Sequence, residues 1–293
     1  MGISRQQALD CFASDDLIGI GMEADAVRRN LHPEGVVSYT IDRTIDYSFD
    51  ENLEPLFRQI DDATATGATT VRLRNNHHDS STITHHESTV TSIKKRYPTL
   101  ALSGPTANEI IALATNSSIN LHDCLTRLRD AGIDDISGDT SNPTDWLNLH
   151  KTAHNLKIRT TATMTFGLGE TTEQRIHHLE EIRNLQLQTA GFKAFIPIAS
   201  PSLGLEEPTA VEYLKTLAIT RLYLDSIPNI QTSGEEQGLK VLQMALRFGS
   251  NDAGSVTIAP RAHSSEEDLR RIIRGAGFRP VQRDNSYRTM FLN

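Results

Sequence analysis

Short β-branched and aromatic runs alternate with helix-patterned stretches along almost the whole chain, and few folds accept that order. Val36-Val37-Ser38-Tyr39-Thr40-Ile41 reads as a strand, and residues 51–65 as a helix closed by Gly67. Residues 69–74 form the next strand, and a helix over 84–96 stops at Pro98. Strand-like runs recur at 100–103, 133–136, 158–165, 192–198, 229–232, 254–258 and 278–282. Helical patterns at 107–114, 121–131, 144–156, 172–188, 209–224, 238–247 and 264–276 fall between them. Ser264-Ser265-Glu266-Glu267 reads as a capping box for the last helix. Two helices come first, one from an N-cap at Ser4 and one over 15–31, which His32-Pro33-Glu34-Gly35 stops. Strands in this rhythm pair in parallel. No Gly-rich dinucleotide fingerprint follows the first strand, so a doubly wound sheet has less support than a barrel. The expected fold is α/β, a (β/α)8 TIM-type barrel with two N-terminal leading helices. It forms a single domain over 1–293, with leading helices in 1–35 and the barrel in 36–293.

Charge narrows the function classes. Asp and Glu outnumber Lys and Arg by 37 to 29, a net charge of −8, so no broad surface attracts nucleic acid or anionic lipid. No apolar run approaches the length of a bilayer span, and Met1-Gly2-Ile3-Ser4-Arg5 lacks a signal-peptide core. Gln6 stands where a myristoylation motif wants Ser or Thr. A cytoplasmic location is the expectation. Only two cysteines occur, Cys11 and Cys124, with no C-x-x-C between them, and both read as small buried apolar residues.

Parallel barrel strands are buried on both faces, so charge inside one is informative. Arg72 and Arg74 alternate with Val71 and Leu73, which makes one face of that strand cationic. Three readings stay open: a pocket for a carboxylate or phosphate ligand, an internal ion-pair network with Asp42 and Glu170 as partners, or snorkelling at an edge. His77, His78 and Asp79 at the strand end, with His85, His86 and Glu87 beyond, carry metal-ligand chemistry. Adjacent residues of an extended chain point opposite ways, so a polar loop is the simpler reading. His177-His178 reads as solvent-facing.

Several segments resemble the cyclic dehypoxanthinyl futalosine synthase branch of the radical SAM superfamily. They are Asp25-Ala26-Val27-Arg28-Arg29-Asn30-Leu31-His32-Pro33-Glu34-Gly35-Val36-Val37, Arg159-Thr160-Thr161-Ala162-Thr163-Met164 with Gly167-Leu168-Gly169-Glu170-Thr171, and Gly191-Phe192-Lys193-Ala194-Phe195-Ile196-Pro197. Leu224-Asp225-Ser226-Ile227-Pro228-Asn229-Ile230-Gln231 and the run from Leu246 to Ser255 complete the set, in the family's order over nearly the whole chain. The resemblance implies a 4Fe–4S cluster and S-adenosylmethionine that together generate a 5′-deoxyadenosyl radical, which cyclises dehypoxanthine futalosine in menaquinone biosynthesis. It also implies a C-x-x-x-C-x-x-C loop after the first barrel strand. Here Asp42-Arg43-Thr44-Ile45-Asp46-Tyr47 matches the segment before that loop, and Ser48-Phe49-Asp50-Glu51-Asn52-Leu53 runs straight on into the helix. The loop and its cysteines are missing.

Further departures fall at other strand ends. Of the family's Gln-Gly-Gly-x-His-Pro turn only His78 remains, and the Gly-rich acidic segment is shortened to Ser137-Gly138-Asp139-Thr140-Ser141-Asn142-Pro143. Leu168 replaces a family His, Ile198 and Gly234 replace Trp, and Ala259-Pro260-Arg261 stands where a Glu-Glu-Asn stretch belongs. The expected substrate-binding set is Asp42, Arg72, Arg74, His78, Glu170, Gln231, Gln237, Asn251, Asp252 and Ser255, with no metal ligand and no assigned catalytic residue. Asn251-Asp252-Ala253-Gly254-Ser255 reads equally as a tight turn. The expectation is a cluster-free protein, a binding or regulatory partner without radical catalysis. Its alternative is a repurposed lyase, isomerase or hydrolase acting on a nucleoside-like or anionic small molecule. No cofactor is assigned, and S-adenosylmethionine binding stays open. Small-molecule and protein partners are both admitted; nucleic acid and membrane are not.

Overall fold

The structure, a computed structural model, describes residues 2–47, 52–75, 82–136, 143–200, 206–232, 237–257 and 265–290. Its order is α1 (Arg5–Ala13), α2 (Leu17–Leu31), β1 (Val36–Tyr47), α3 (Glu54–Ala65), β2 (Thr70–Asn75), α4 (Ile83–Arg96), β3 (Ala101–Ser103), α5 (Ala107–Asn116) and α6 (Leu121–Ala131). There follow α7 (Pro143–Asn155), β4 (Thr160–Phe166), α8 (Thr172–Thr189), β5 (Phe192–Ala199), α9 (Ala210–Tyr223), β6 (Asn229–Ile230), α10 (Leu239–Ala245), β7 (Asp252–Thr257), α11 (Glu266–Gly275) and β8 (Arg279–Gln282).

All strand pairing is parallel. One sheet runs β3-β2-β1-β7 and another β4-β5-β6. Single bridges join them at both seams: Ser103 to Asp135 and Ile136 to Thr160 on one side, Gln231 to Asp252 on the other. The result is the expected TIM-type barrel. Two details differ from the sequence reading. The strand expected over 133–136 contributes only the bridge residues Asp135 and Ile136, and β1 runs on to Tyr47. β8 pairs with Val36–Tyr39 at the foot of β1. Ser38 already pairs with Asp252 on its β7 side, so β8 lies on the other side, below β2.

Alternation separates two environments along each strand. Val37, Tyr39, Ile41, Ile45 and Tyr47 of β1 pack with Val71 and Leu73 of β2 into the helix-side core. Ser38, Thr40, Asp42, Thr44 and Asp46, with Thr70, Arg72 and Arg74, therefore face the barrel interior. A second core lies under α8 and α9, around Trp146, Met164, Phe166, Phe192 and Phe195, and takes in α1 and α2. Gly21 of α2 lets the Phe248 ring approach, since a Cβ there would meet it at 2.6 Å. The helix caps follow sequence, with boxes at Ser4/Gln7, Thr106/Glu109 and Thr171/Gln174. The last box is Ser265 with Asp268, one residue later than expected, because α11 begins at Glu266. Among the described residues no helix is long and apolar enough to cross a membrane.

The second core contains ionisable groups. His150 and His154 of α7 share the Thr160 hydroxyl, each at 2.9 Å, and His154 reaches the Thr189 hydroxyl at 2.7 Å. Phe192 and Trp146 pack against them. His178, expected in solvent, lies half-buried with its ring 5.5 Å from that of Trp146, while His177 is exposed. Burial, then the neighbouring His154 and His178, pushes His150 down to about 3. Burial, then Arg159, pushes His154 down to about 4. Both are neutral in the fold and titrate near 6.5 when unfolded. Their contribution is full above that value and is lost as pH falls from about 6.5 toward 4. Stability measured by urea denaturation should therefore drop by roughly 2 kcal/mol per histidine between pH 7 and 5. His150→Gln should remove about half of that slope.

Candidate functional site in the barrel interior

The interior-facing residues form polar layers from the floor of the barrel to its mouth. At the floor, Asp252 and Arg283 are 0% and 3% exposed. Arg283 donates to Asp252 through Nε at 2.5 Å and through a terminal nitrogen at 3.0 Å. The Ser38 hydroxyl and the Gly254 N–H also donate to that carboxylate, at 2.5 and 2.9 Å. Burial alone would lower the Arg283 value, but Asp252 more than offsets it and the guanidinium stays charged. Arg283 also reaches Gln231 Oε1 at 3.3 Å, which accepts from the Tyr287 hydroxyl at 2.8 Å. The Arg283 guanidinium stacks 3.8 Å from the Tyr287 ring centre. Lys193 of β5 pairs with Asp135 at 2.7 Å and donates to the Asn285 carbonyl at 2.7 Å.

One layer higher stands Asp42. Its carboxyl lies above the usual range because burial dominates, while Arg283, Arg72, Ser255 and Thr40 pull it back. The Thr40 hydroxyl donates to it at 3.1 Å. Near the mouth, Arg74 forms a two-point pair with Asp46, its register partner on β1, at 2.5 and 2.9 Å. The Thr70, Ser103 and Thr163 hydroxyl oxygens are buried with no partner among the described residues. Each sits on the interior face of a different strand. Buried hydroxyls at loose ends are rare, and these three suit a polyhydroxylated ligand or water held inside the barrel.

Of the ten expected binding residues, the interior brings together Asp42, Arg72, Arg74, Gln231, Asp252 and Ser255. Glu170 lies elsewhere, closing the loop after β4: it accepts from the Gly167 and Leu168 N–H groups at 3.0 and 2.8 Å and from Arg175 at 2.6 Å. Asn251 turns outward, its side-chain oxygen taking the buried Arg221 at 2.7 Å and the Ile230 N–H at 2.9 Å. Gln237 stands half-buried ahead of α10. His78, with His77 and Asp79, lies outside the described residues. So do Gly234, Ala259-Pro260-Arg261 and the segment 137–142. In the second histidine group, His86 meets the Tyr47 hydroxyl at 2.7 Å on the helix side, His85 meets Thr82, and Glu87 pairs with Arg127. Sequence reasoning missed Asp135, Lys193, Arg283 and Tyr287. Lys193 carried the same signal as Arg72, a cation inside an apolar strand; nothing local marked the other three.

The residues present do not fit an iron–sulfur cluster, which needs three clustered thiolates. Cys124 is fully buried on α6, its thiol against the Ile110 carbonyl and pushed up to about 11 by burial. Cys11 lies on α1, packed against the second core and also pushed up by burial. Neither element belongs to the barrel interior.

The fold defines the class. The chain superposes on the crystal structure of methylornithine synthase (PylB) with a TM-score of 0.72, covering 96% of this chain and 94% of that one at 13% identity. The family model described as the CofH/MqnC C-terminal region matches residues 189–292. A cyclic dehypoxanthine futalosine synthase of Streptomyces coelicolor is 29% identical, covering 97% of this chain and 85% of the relative. A 5-amino-6-(D-ribitylamino)uracil--L-tyrosine 4-hydroxyphenyl transferase of Methanococcoides burtonii is 30% identical, covering 82% and 78%. An aminodeoxyfutalosine synthase of Thermus thermophilus is 29% identical, covering 92% and 78%. The chain belongs to the CofH/MqnC family.

The layers differ sharply in energetic weight. Removing one partner of a buried pair leaves an uncompensated charge, whereas an exposed pair contributes little. Asp252→Ala should cost about 3–5 kcal/mol in urea unfolding. Asp46→Ala should change stability by less than about 1 kcal/mol.

Proposed function

We propose that this chain is a cluster-free member of its family, a binding or regulatory protein that does not cleave S-adenosylmethionine reductively. One observation carries the proposal. Between Tyr47, the end of β1, and Glu54, the start of α3, the chain reads Ser-Phe-Asp-Glu-Asn-Leu, with no cysteine where the resemblance places three. The gap is internal, so it does not depend on where the chain starts or stops. Alignment with the Streptomyces relative extends over 338 positions, more than the 293 residues here, so internal segments of that relative have no counterpart. Without soft thiolate ligands no low-potential electron reaches the sulfonium bond. Cys11 and Cys124 lie on separate outer helices and cannot replace the site.

The polar interior supports binding of a small, hydrogen-bonding molecule, with Asp42, Arg72 and the unpaired Thr70, Ser103 and Thr163 hydroxyls as its contacts. A second reading, a non-redox enzyme acting on a nucleoside-like or anionic molecule, is favoured by Asp42. Its raised pKa is the property of a carboxyl that holds a proton long enough to give it up.

Anaerobic reconstitution with iron and sulfide tests the proposal. Protein freed of adventitious iron should show no cluster absorption and no electron paramagnetic signal on reduction, and should form no 5′-deoxyadenosine. A reducible cluster that turns over S-adenosylmethionine would refute it. Thermal-shift titration with dehypoxanthine futalosine then separates the two readings. Binding without product favours the binding role; product formation abolished in Asp42→Asn favours the enzyme.

A further inference from the structure

At the other end of the barrel, where the strands begin, lies a pocket of about 290 Å³. Four cations from three stretches line it: Arg129 of α6, Lys157 and Arg159 before β4, and Lys193 of β5. Ser286 of the C-terminal segment completes its wall. Such a cluster is unusual in a chain whose net charge is −8, because like charges converging on a small concavity repel unless an anion sits among them.

Several of these charges already have partners. Lys193 is held by Asp135, and Arg129 by Asp130 at 2.7 Å. The one carboxylate in the pocket wall, Asp134, is taken by Lys94 at 2.6 Å and by the Leu102 N–H at 2.8 Å. Lys157 and Arg159 remain. Neither has a carboxylate partner among the described residues, and both are exposed at the pocket. Lys157 adopts a left-handed backbone with φ +65, a position at a helix end where glycine is cheaper.

We infer that this pocket is a binding site for a phosphate-type oxyanion, held by Lys157 and Arg159 with Ser286 as a hydroxyl donor. It is separate from the barrel interior and independent of whether that interior binds or catalyses. Arg supplies a fork that matches phosphate oxygens, and Lys a mobile point charge. The competing explanation is that these cations merely offset the carbonyl ends of α6 and α7.

The test uses the full chain and inorganic phosphate, with sodium chloride balancing ionic strength at every point. Phosphate should raise the melting temperature of the unaltered protein, and the apparent affinity should fall at least about tenfold in Arg159→Gln and in Lys157→Gly. Lys157→Gly relieves the left-handed backbone, so its melting temperature without phosphate should not fall; the loss of binding then cannot be blamed on misfolding. Phosphoserine forms a second arm. Tighter binding of phosphoserine would assign the site to a phosphomonoester, and preference for phosphate to the free ion. An equal response in the variants and the parent protein, or an equal effect of sodium chloride alone, would overturn the site.

Discussion

The barrel floor depends on one buried ion pair, Asp252 with Arg283. Asp252 opens β7 and bridges to Gln231, and that bridge is where the two sheets meet on one side. Arg283 follows β8 directly and sits beneath β2. The pair thus fastens the last strand and the chain beyond it to one of the barrel's two seams. A charge pair so fully withdrawn from water holds its geometry only when every remaining lone pair is met. Here Ser38 and Gly254 donate to the carboxylate, while Gln231 and the Asp284 carbonyl accept from the guanidinium.

That arrangement explains which parts of the molecule were legible in its sequence. Strand and helix bodies declare themselves through period, because each must bury one face against a common core. The alternation of Val71 and Leu73 with Arg72 and Arg74 was such a signal, and Val71 and Leu73 do pack into the helix-side core. The partners were not legible. Arg74 takes Asp46 because parallel register sets those two Cα positions side by side, and register is a property of two strands rather than of one. Arg283 joins Asp252 across a separation of 31 residues, and no local pattern announces such a pairing. Glu170 and Asn251 were selected by resemblance, yet Glu170 closes its own loop and takes Arg175, and Asn251 takes the buried Arg221 and the Ile230 N–H. A polar residue shared with a family need not line that family's pocket.

The short 133–136 run illustrates a related limit. Its apolar ends suggested a short strand, and Asp135 and Ile136 bridge the gap between β3 and β4. The Asp135 carboxylate at that bridge also takes the Lys193 ammonium at 2.7 Å, so the short link anchors a buried ion pair as well.

The two ends of the barrel now present opposite electrostatic situations. Inside, positive groups outnumber neither their carboxylates nor the hydroxyls around them, and the unmet hydrogen-bonding capacity belongs to neutral oxygens on Thr70, Ser103 and Thr163. A neutral, hydroxyl-rich molecule answers that need without disturbing Asp42 or Arg72. Where the strands begin, the surplus is charge itself, carried by Lys157 and Arg159 close to solvent. Lys193 stands between the two regions, its ammonium shared by Asp135 and the Asn285 carbonyl.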